Sequence, residues 1–307
     1  MKKVLVVGEL NVDLILQGYS AFPAPGKEVL VDDFVMTLGS ASAICAAGLA
    51  KLGAPVAFQS KVGRDPWGDY CVDVLTRAGI DVTRVEHDAR LKTGVTVSIS
   101  SQKDRALVSY LGAISALTGA DVPDAAFAGF DHLHVSAYYL QQGLRADLPS
   151  LFERASRHGL TTSLDPGFDP QEKWGPEIRD ALRHADLFFP NEVELAALTR
   201  VSDPVAAVGA LANGRTLVVA KLGAQGALAL QAGAPVRVAA FPVTPLDTTG
   251  AGDSFDAGFL EAWLRGRSLV ECLRRGAACG ALSTRGAGGT ATQPTPAEVD
   301  ALLRTRA

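Results

Sequence analysis

The segment DTTGAGDSFDAGFL, residues 247–260, places small turn-forming residues and a carboxylate directly before an apolar helical pattern. The turn itself consists of Gly250, Ala251, Gly252 and Asp253. If this turn opens a helix, its backbone N–H groups lack partners within the helix, and the helix dipole adds about half a positive charge. A phosphoryl group fits such a helix start, and Asp253 is then placed to accept a proton from a hydroxyl nucleophile. A tight turn with a negative charge at a helix N-terminus is the simpler reading, and the two readings are compatible.

A second candidate set follows the strand-like run DLFFP, where Asn191 and Glu194 stand three residues apart at a predicted helix start. One reading is an N-cap with a capping-box glutamate. The other is a magnesium site, because hard oxygen ligands suit Mg²⁺ beside phosphates. The stretch KLGAQGA adds a glycine-rich loop for a nucleotide, while the chain contains neither GxxxxGK[ST] nor GxGxxG.

The rest of the sequence supplies the elements that position these groups. Short apolar runs alternate with longer Ala- and Leu-rich helical patterns, as in KVLVVG followed by ASAICAAGLAKLG. This alternation predicts an α/β fold with a mainly parallel sheet. Ligands of such sheets bind beyond the carboxyl ends of the strands. Asp165, at the end of TTSLD, is therefore a site candidate, with an Asx turn as the alternative.

Two segments interrupt the alternation. Residues 14–38 and 93–111 read as strands and turns without a helix, and the second predicts a hairpin that turns at Gln102 to Asp104. They are either ordinary edge strands or a small sheet that covers a site as a lid. Because no linker or repeat divides the chain, we predict one domain, residues 1–307, with these two segments as its lid.

Composition excludes several classes of function. The 307 residues are 48% hydrophobic with a net charge of −4 and a pI near 5.8, which gives no basic surface for nucleic acid or an anionic membrane. Polar residues soon after KVLVV argue against a signal peptide, and no run of about 20 apolar residues predicts a membrane helix. We therefore predict a cytoplasmic protein. Buried reduced thiols are expected at all four cysteines, which lack zinc spacing: Cys45, Cys71, Cys272 and Cys279.

With DTTGAGDSFDAGFL, the motifs GELNVD, VGRDPWG, NEVE and KLGAQGA make the chain resemble the ribokinase-like (PfkB) family of carbohydrate kinases. The motifs occur in that family's order over nearly the whole chain, and residues 247–260 match its signature position by position. The resemblance implies a three-layer α/β/α sandwich with a mainly parallel central sheet and a small β lid. It also implies transfer of the γ-phosphate of ATP to a sugar or nucleoside hydroxyl with Mg²⁺.

The resemblance assigns roles around the transferred phosphate. Asp253 matches the family's catalytic base, and residues 250–252 match its anion hole. Asn191 and Glu194 match the motif that organises Mg²⁺ and the phosphates. Phosphoryl transfer needs positioning and charge neutralisation more than covalent chemistry, so these roles are physically consistent with one another.

Further roles follow for a cation and for the nucleotide. In several members the positions of Asp247 and of the segment from Ser283 to Gly288 bind a monovalent cation, so potassium dependence is one expectation. Ala277 stands where some members place an asparagine against adenine, which weakens any statement about base specificity. The residues expected on the nucleotide side are Asn191, Lys221, Gly223, Gly226, Thr249, Gly252 and Ala277.

On the acceptor side, Asp13 matches the acidic residue that grips substrate hydroxyls, with Asn11 beside it. The family's GG, followed by an asparagine four positions on, reads here LGSASAICA, with Ser40 at the second glycine and Ile44 at the asparagine. Recognition of ribose or fructose 6-phosphate therefore does not follow. Ser40 and Ser42 either compensate or only cap a helix, and Tyr110 in the lid either contacts substrate or only packs. The predicted acceptor-side residues are Asn11, Asp13, Gly39, Ser40, Ser42, Tyr110 and Asp165.

These observations predict an ATP- and Mg²⁺-dependent kinase that phosphorylates a hydroxyl of a sugar or sugar acid. We expect a homodimer, because exposed lid edges favour pairing, and no nucleic acid or membrane partner. One alternative is a purine nucleoside kinase of the same fold. The other is a non-catalytic sugar-binding protein, against which Asp253, Asn191 and Glu194 argue, whereas Ile44 leaves it open.

Overall fold

The computed structural model describes residues 1–19, 21–100 and 105–305. Over these residues strands and helices alternate, as the apolar pattern predicts. The strands are β1 Val4–Val7, β2 Asn11–Gln17, β3 Asp33–Leu38, β4 Val56–Gly63, β5 Asp81–Asp88, β6 Gly94–Ser100, β7 Arg105–Tyr110, β8 His132–Val135, β9 Thr161–Leu164, β10 Leu187–Phe188, β11 Leu217–Lys221, β12 Ala227–Gln231 and β13 Ala234–Val238. The α-helices are α1 Ala41–Lys51, α2 Pro66–Arg77, α3 Gln142–Arg145, α4 Leu148–Arg157, α5 Ile178–Leu182, α6 Glu192–Thr199, α7 Pro204–Ala210, α8 Ala251–Leu264, α9 Leu269–Ser283 and α10 Pro296–Arg304.

The central sheet has its strands in the order β13-β12-β11-β10-β9-β8-β1-β4-β5. Neighbouring strands from β11 to β5 run parallel, while β12 and β13 at one edge are antiparallel. The predicted mainly parallel sheet is thus confirmed. Its carboxyl ends lie along one edge, so the residues that follow β1, β9, β10 and β11 converge there.

Two apolar cores cover the two faces of this sheet. In β1, Val4 and Val6 belong to the core shared with α1, α2, α8, α9 and α10. Leu5 and Val7 belong to the core shared with α3 to α7. Because side chains alternate along a strand, one apolar run fills both cores. The result is the predicted α/β/α sandwich, and all four cysteines are buried free thiols.

The two helix-free segments form a second sheet in the order β3-β2-β6-β7. It begins at Asn11, earlier than the predicted start at residue 14, so Asn11 and Asp13 belong to strand β2 of this small sheet, whose role as a lid stays a prediction. β6 and β7 pair as the predicted antiparallel hairpin, and its predicted turn at Gln102 to Asp104 lies outside the described residues.

Strand register divides this small sheet into two unlike faces. One face carries Asp13 opposite Thr37 and Thr96. The other face, here named the apolar lid face, consists entirely of apolar residues in register across the four strands. Its members are Val12, Leu14, Leu16, Phe34, Met36, Leu38, Val95, Val97, Ile99, Ala106, Val108 and Tyr110.

Candidate active site

Helix α8 begins beside the carboxyl ends of β9 and β11 without a side-chain cap. The Ala251 N–H donates to the Thr248 carbonyl at 3.2 Å. Within residues 1–19, 21–100 and 105–305, the N–H groups of Gly252 and Asp253 have no acceptor. Unpaired amides at the positive end of a helix dipole are suited to bind an anion, so the start of α8 fits a phosphoryl group.

Gly250 makes this turn possible. Its φ of 72° lies in the left-handed region that favours glycine. A Cβ atom at this position would lie 2.7 Å from the Cα of Gly289 and 3.0 Å from Cγ2 of Ile44. Ile44, which replaces the expected asparagine, is thus buried against the backbone of the turn that precedes α8.

Asp253, the predicted base, lies half-buried in the first turn of α8. Carboxylate oxygens of Asp253, Asp165 and Asp256 all lie within 4.8 Å of one another. Burial, and then the negative charge of Asp165, raise the pKa of Asp253 well above that of an ordinary aspartate, while Lys221 opposes the shift. A carboxylate with a raised pKa is a stronger proton acceptor once it is ionised.

Lys221 joins two of these carboxylates. Its ammonium group donates to Asp165 and, at 3.2 Å, to both oxygens of Asp256. Side-chain exposure is 11% for Lys221, 6% for Asp165 and 0% for Asp256. Burial opposes ionisation of Asp165, but the charge of Lys221 together with hydrogen bonds from Asp256, Lys221 and the Gly167 N–H outweighs it, and the pKa falls. Burial raises the pKa of Asp256 well above the ordinary value. Lys221 was predicted on the nucleotide side, and the structure places its ammonium in these ion pairs.

Sequence reasoning missed Asp256. It lies one helical turn after Asp253 and one turn before the buried residues Phe259 and Leu260. An acidic residue on a buried helical face was the available signal, because acidic side chains are almost never fully buried unless they are paired.

Asn191 and Glu194 form the capping box that their spacing predicts. Asn191 Oδ1 accepts the N–H groups of Val193 and Glu194 at 2.9 Å, and Glu194 Oε2 accepts the Asn191 N–H at 2.8 Å. Burial, followed by the charge of Asp165, raises the pKa of Glu194 to about 7. The second carboxylate oxygen of Glu194 accepts no hydrogen bond from the part of the chain that the structure describes. One hard oxygen of Glu194 is therefore left near Asp165, Asp253 and Asp256, here named the acidic cluster. This free oxygen fits Mg²⁺ bound directly or through water.

The predicted acceptor residues Asn11, Asp13 and Gly39 come together. Asn11 Nδ2 donates to Asp13 Oδ1 at 3.0 Å. A Cβ atom on Gly39 would lie 2.1 Å from that same oxygen and 2.5 Å from Asn11 Nδ2. Glycine at position 39 therefore lets the loop before α1 approach the Asp13 carboxylate.

Ser40 caps the start of α1, and Ser42 links the first turn of this helix to Glu9. The Ser40 hydroxyl accepts the Ala43 N–H at 3.0 Å and donates to the Glu9 carbonyl at 2.5 Å. The Ser42 N–H and hydroxyl both donate to the Glu9 carboxylate, at 3.0 and 2.5 Å. The capping reading is confirmed for Ser40, whereas Ser42 contacts Glu9 and does not cap the helix; contact of either serine with an acceptor stays a prediction.

Glu9 is a second buried acidic residue that the sequence analysis did not include among the site candidates. It is only 2% exposed, and burial raises its pKa to about 7 although the Ser42 hydrogen bonds oppose the shift. A glutamate directly after the buried run KVLVVG was the signal in the sequence.

Two other acceptor-side candidates have different positions. Asp165 lies inside the acidic cluster, and its second oxygen accepts the Gly167 N–H at 2.8 Å, so the Asx-turn reading is confirmed as well. Tyr110 belongs to the apolar lid face, opposite to the face that carries Asp13, and is 56% exposed. The structure therefore does not bring Tyr110 together with the other acceptor candidates.

The residues expected to bind a monovalent cation surround the loop before α8. Asp247 accepts the Gly288 N–H at 2.8 Å through one oxygen and the Thr249 N–H and hydroxyl through the other. The Ser283 carbonyl accepts the Thr292 hydroxyl at 2.5 Å. Asp247 thus links the start of α8 to the loop after α9, and potassium binding stays a prediction.

On the nucleotide side, the loop after β11 depends on its glycines. Gly223 and Gly226 have φ angles of 54° and 92°, and a Cβ atom on Gly226 would lie 1.9 Å from the Val238 carbonyl oxygen. Ala277 is buried in α9. Gly223 and Gly226 thus define a tight turn. Contact of this turn, or of Ala277, with a nucleotide stays a prediction.

A family profile described as pfkB family carbohydrate kinase matches residues 1–296. The chain belongs to the pfkB family of carbohydrate kinases. This pfkB-family kinase is 30% identical to the ATP-dependent ribose-1-phosphate kinase of Halopiger xanaduensis, over 100% of its own chain and 99% of that relative. It is also 30% identical to the 2-dehydro-3-deoxygluconokinase of Bacillus subtilis (strain 168), over 89% of its own chain and 88% of that relative.

The fold of the pfkB-family kinase is that of a solved ribokinase from E. coli. The crystal structure of that ribokinase II in complex with ATP and Mg²⁺ has a TM-score of 0.85 at 24% identity, with 100% of both chains covered. The predicted ribokinase-like sandwich, the family and the carbohydrate kinase activity are confirmed. Among the residues that the structure describes, no helix combines the length and apolarity that crossing a bilayer requires.

Proposed function

We propose that this sugar kinase transfers the γ-phosphate of ATP to a hydroxyl of a sugar or sugar acid, with Asp253 as the general base. The observation that carries the proposal is the start of α8, where the unpaired N–H groups of Gly252 and Asp253 share one turn with the Asp253 carboxylate. The same turn is thus suited to hold the transferred group and to take the proton of the attacking hydroxyl.

The roles of the other residues follow from their contacts. Asp13, fixed by Asn11 beside Gly39, accepts hydrogen bonds from acceptor hydroxyls and orients the one that attacks. Asp253 takes that hydroxyl's proton while the unpaired amides of Gly252 and Asp253 stabilise the equatorial phosphate oxygens; the Ala251 amide, predicted as part of the anion hole, is already bonded to Thr248. Base catalysis of this kind is typically worth about 10² to 10⁴ in rate.

ATP and Mg²⁺ fit the residues at the same edge. Bound Mg²⁺ neutralises phosphate charge. Glu194, with one oxygen left by its capping box, would hold the metal directly or through water, whereas Asn191, whose oxygen accepts the Val193 and Glu194 N–H groups, would contact it only through water. The name of the Halopiger relative as an ATP-dependent kinase, and the ATP and Mg²⁺ in the E. coli structure, support this choice of cofactors.

A sugar or sugar acid is favoured over a nucleoside by the names of the two relatives, a ribose-1-phosphate kinase and a 2-dehydro-3-deoxygluconokinase. A coupled assay of ADP release across sugars, sugar phosphates, sugar acids and nucleosides tests the acceptor class. We expect the highest kcat/KM with a sugar or sugar acid. A nucleoside that is turned over faster would favour the purine kinase alternative, and no turnover with any acceptor would favour a binding protein.

We also propose that the protein is a homodimer joined through the apolar lid face. Phe34, Met36, Val108 and Tyr110 on this face are 40% to 61% exposed. Contiguous apolar area of this kind on a protein surface indicates an interaction site. The face carries no charged side chain, so it is suited to pair with its own copy about a two-fold axis.

A further inference from the structure

The charge of Asp253 depends on several titratable groups that face it from different elements. Burial and like charges disfavour its ionised form, and one cation opposes them. The groups are Glu9 after β1, Cys45 on α1, Asp165 after β9, Glu194 on α6, Lys221 on β11 and Asp256 on α8. Lys221 is the only cation in this set.

The contacts of Lys221 determine how its charge is distributed. Its ammonium contacts Asp165 and Asp256, and these two carboxyl groups hydrogen-bond each other. Two carboxyl groups joined in this way share one proton, because two buried negative charges cannot both ionise at such a distance. Asp165 is the ionised member, because it lies closer to the Lys221 ammonium and also accepts the Gly167 N–H, whereas Asp256 is fully buried and keeps the proton. The three side chains together therefore carry no net charge.

Without Lys221, three carboxyl groups within 4.8 Å would have no cation among them. Only one of them would then ionise readily. Asp165, which accepts the Gly167 N–H at 2.8 Å, would compete with Asp253 for that single negative charge.

We propose that Lys221 is a positioning residue for the catalytic carboxylate: by offsetting part of the negative charge of Asp165, it allows Asp253 to ionise and act as a base. The inference rests on the proposed role of Asp253. It differs from a nucleotide contact, because Lys221 acts through the carboxylates and not through ATP.

The test begins with Lys221→Met and the pH dependence of kcat. We expect the acid limb to move to higher pH by about one unit, so that kcat falls about tenfold at a pH below the wild-type limb. Lys61→Met is the matched control, since Lys61 on β4 is also an ion-paired lysine with 14% side-chain exposure. Its acid limb should coincide with that of the wild type.

The double variant Lys221→Met/Asp165→Asn separates charge balance from a structural role. Removing the competing carboxylate should return the acid limb to within about half a unit of the wild type, because Asp253 loses its cation and its competitor together. A double variant whose limb stays with the single variant overturns the inference. A single variant that raises the KM for ATP without moving the limb also overturns it, in favour of a nucleotide contact.

A titration of the nucleotide-free protein gives a readout that does not depend on turnover. In ¹³C NMR of aspartate-labelled protein, Asp253→Asn identifies the Asp253 signal, which should titrate at higher pH in Lys221→Met and return in the double variant. If Lys221→Met does not fold, the double variant tests the inference alone, since it should fold and keep the wild-type limb. Full activity of Asp253→Asn would refute the proposed function itself, whereas an inactive Asp253→Asn with an unmoved limb in Lys221→Met refutes only this inference.

Discussion

At the scale of single residues, the acidic groups around the start of α8 have pKa values shifted in opposite directions by their neighbours. Lys221 favours the ionised form of Asp165. Burial raises the pKa of Glu9 to about 7, and hydrogen bonds from Ser42, Ser40 and the Glu9 backbone offset that shift only in part. A carboxyl group with a raised pKa binds its proton more tightly in the folded than in the unfolded protein, so its contribution to stability declines as pH rises between about 4.5 and 7.

We therefore predict that the stability of Glu9→Gln relative to the wild type is greater at pH 8 than at pH 5. Glutamine keeps the acceptor for the Ser42 N–H and removes the buried charge. Urea unfolding of both proteins measures this difference. The free energy of unfolding of the variant minus that of the wild type should rise by on the order of 2 kcal/mol from pH 5 to pH 8.

Glu298 provides a control of opposite sign. The Thr295 N–H, followed by the Arg285 side chain, lowers its pKa to about 2. Its ionised form is stabilising, and that contribution is lost as pH falls from about 4.5 to about 2. Glu298→Gln should therefore destabilise the protein at pH 7. A Glu9→Gln variant whose stability difference is the same at pH 5 and pH 8 would contradict the assignment of a buried charge to Glu9.

The sequence is enough to predict residues whose chemistry depends on local spacing. The helix start at Asp253 and the capping box of Asn191 and Glu194 are of this kind, because a few consecutive residues determine their geometry. Lys221 and Asp256 are not, because their partners come from other elements. A sequence shows that an ionisable side chain is present, but burial and distant partners decide its charge.

At the scale of elements, the function of α8 depends on how its first turn is made. Gly250 has a φ of 72°, and Gly266 just after the same helix has the same φ. Only one of the two is crowded, since a Cβ atom on Gly266 would meet nothing within 4 Å. Comparing alanine substitutions at the two glycines therefore distinguishes the effect of a left-handed φ from the effect of steric disruption of the turn before α8.

We predict that Gly266→Ala loses about 1 kcal/mol of stability, because alanine is disfavoured at a left-handed φ. Gly250→Ala should lose more, because its Cβ atom would also clash with Gly289 and Ile44. Only Gly250→Ala should also reduce kcat, by about 10²-fold, since its Cβ atom would displace the turn whose amides face the phosphate. Thermal unfolding and steady-state kinetics of both variants test this expectation. Equal kcat values in the two variants would show that the turn does not bind the transferred group.

Strands and helices were predicted correctly where the spacing of apolar residues is regular. The start of a strand was predicted less accurately where the strand continues through residues that are typical of a turn. The alternation of β1 and α1 follows from apolar spacing alone. The start of the lid at Asn11 does not, because GELNVD reads as a polar turn. Pairing with β6, which is distant in sequence, extends β2 back to Asn11.

At the scale of the whole molecule, the apolar lid face determines the expected assembly. We predict that the wild type sediments as a dimer and that Val108→Lys sediments as a monomer, because a charge within an apolar interface is costly to bury. Val270→Lys is the control: Val270 is 46% exposed, at the start of α9 and away from this face. A dimer that persists in Val108→Lys, or a wild-type monomer, would rule out this interface.

The sandwich as a whole could be predicted from the sequence, since alternating strands and helices with short connections leave few topologies. The acceptor could not. Its recognition depends on how Asp13 on the lid, Gly39 before α1 and the cluster at α8 are spaced in three dimensions, and on Ile44, whose side chain is buried against Gly250 instead of presenting an amide.

The most direct test of the account is kcat of Asp253→Asn. Its control is Asp69→Asn, which removes an acidic residue from the first turn of α2, where the Asp69 side chain is 77% exposed. With an acceptor found by the ADP-release screen, we predict that kcat of Asp253→Asn falls at least about 10²-fold with little change in the KM for the acceptor, while Asp69→Asn matches the wild type. An unchanged kcat in Asp253→Asn would contradict the assignment of Asp253 as the base.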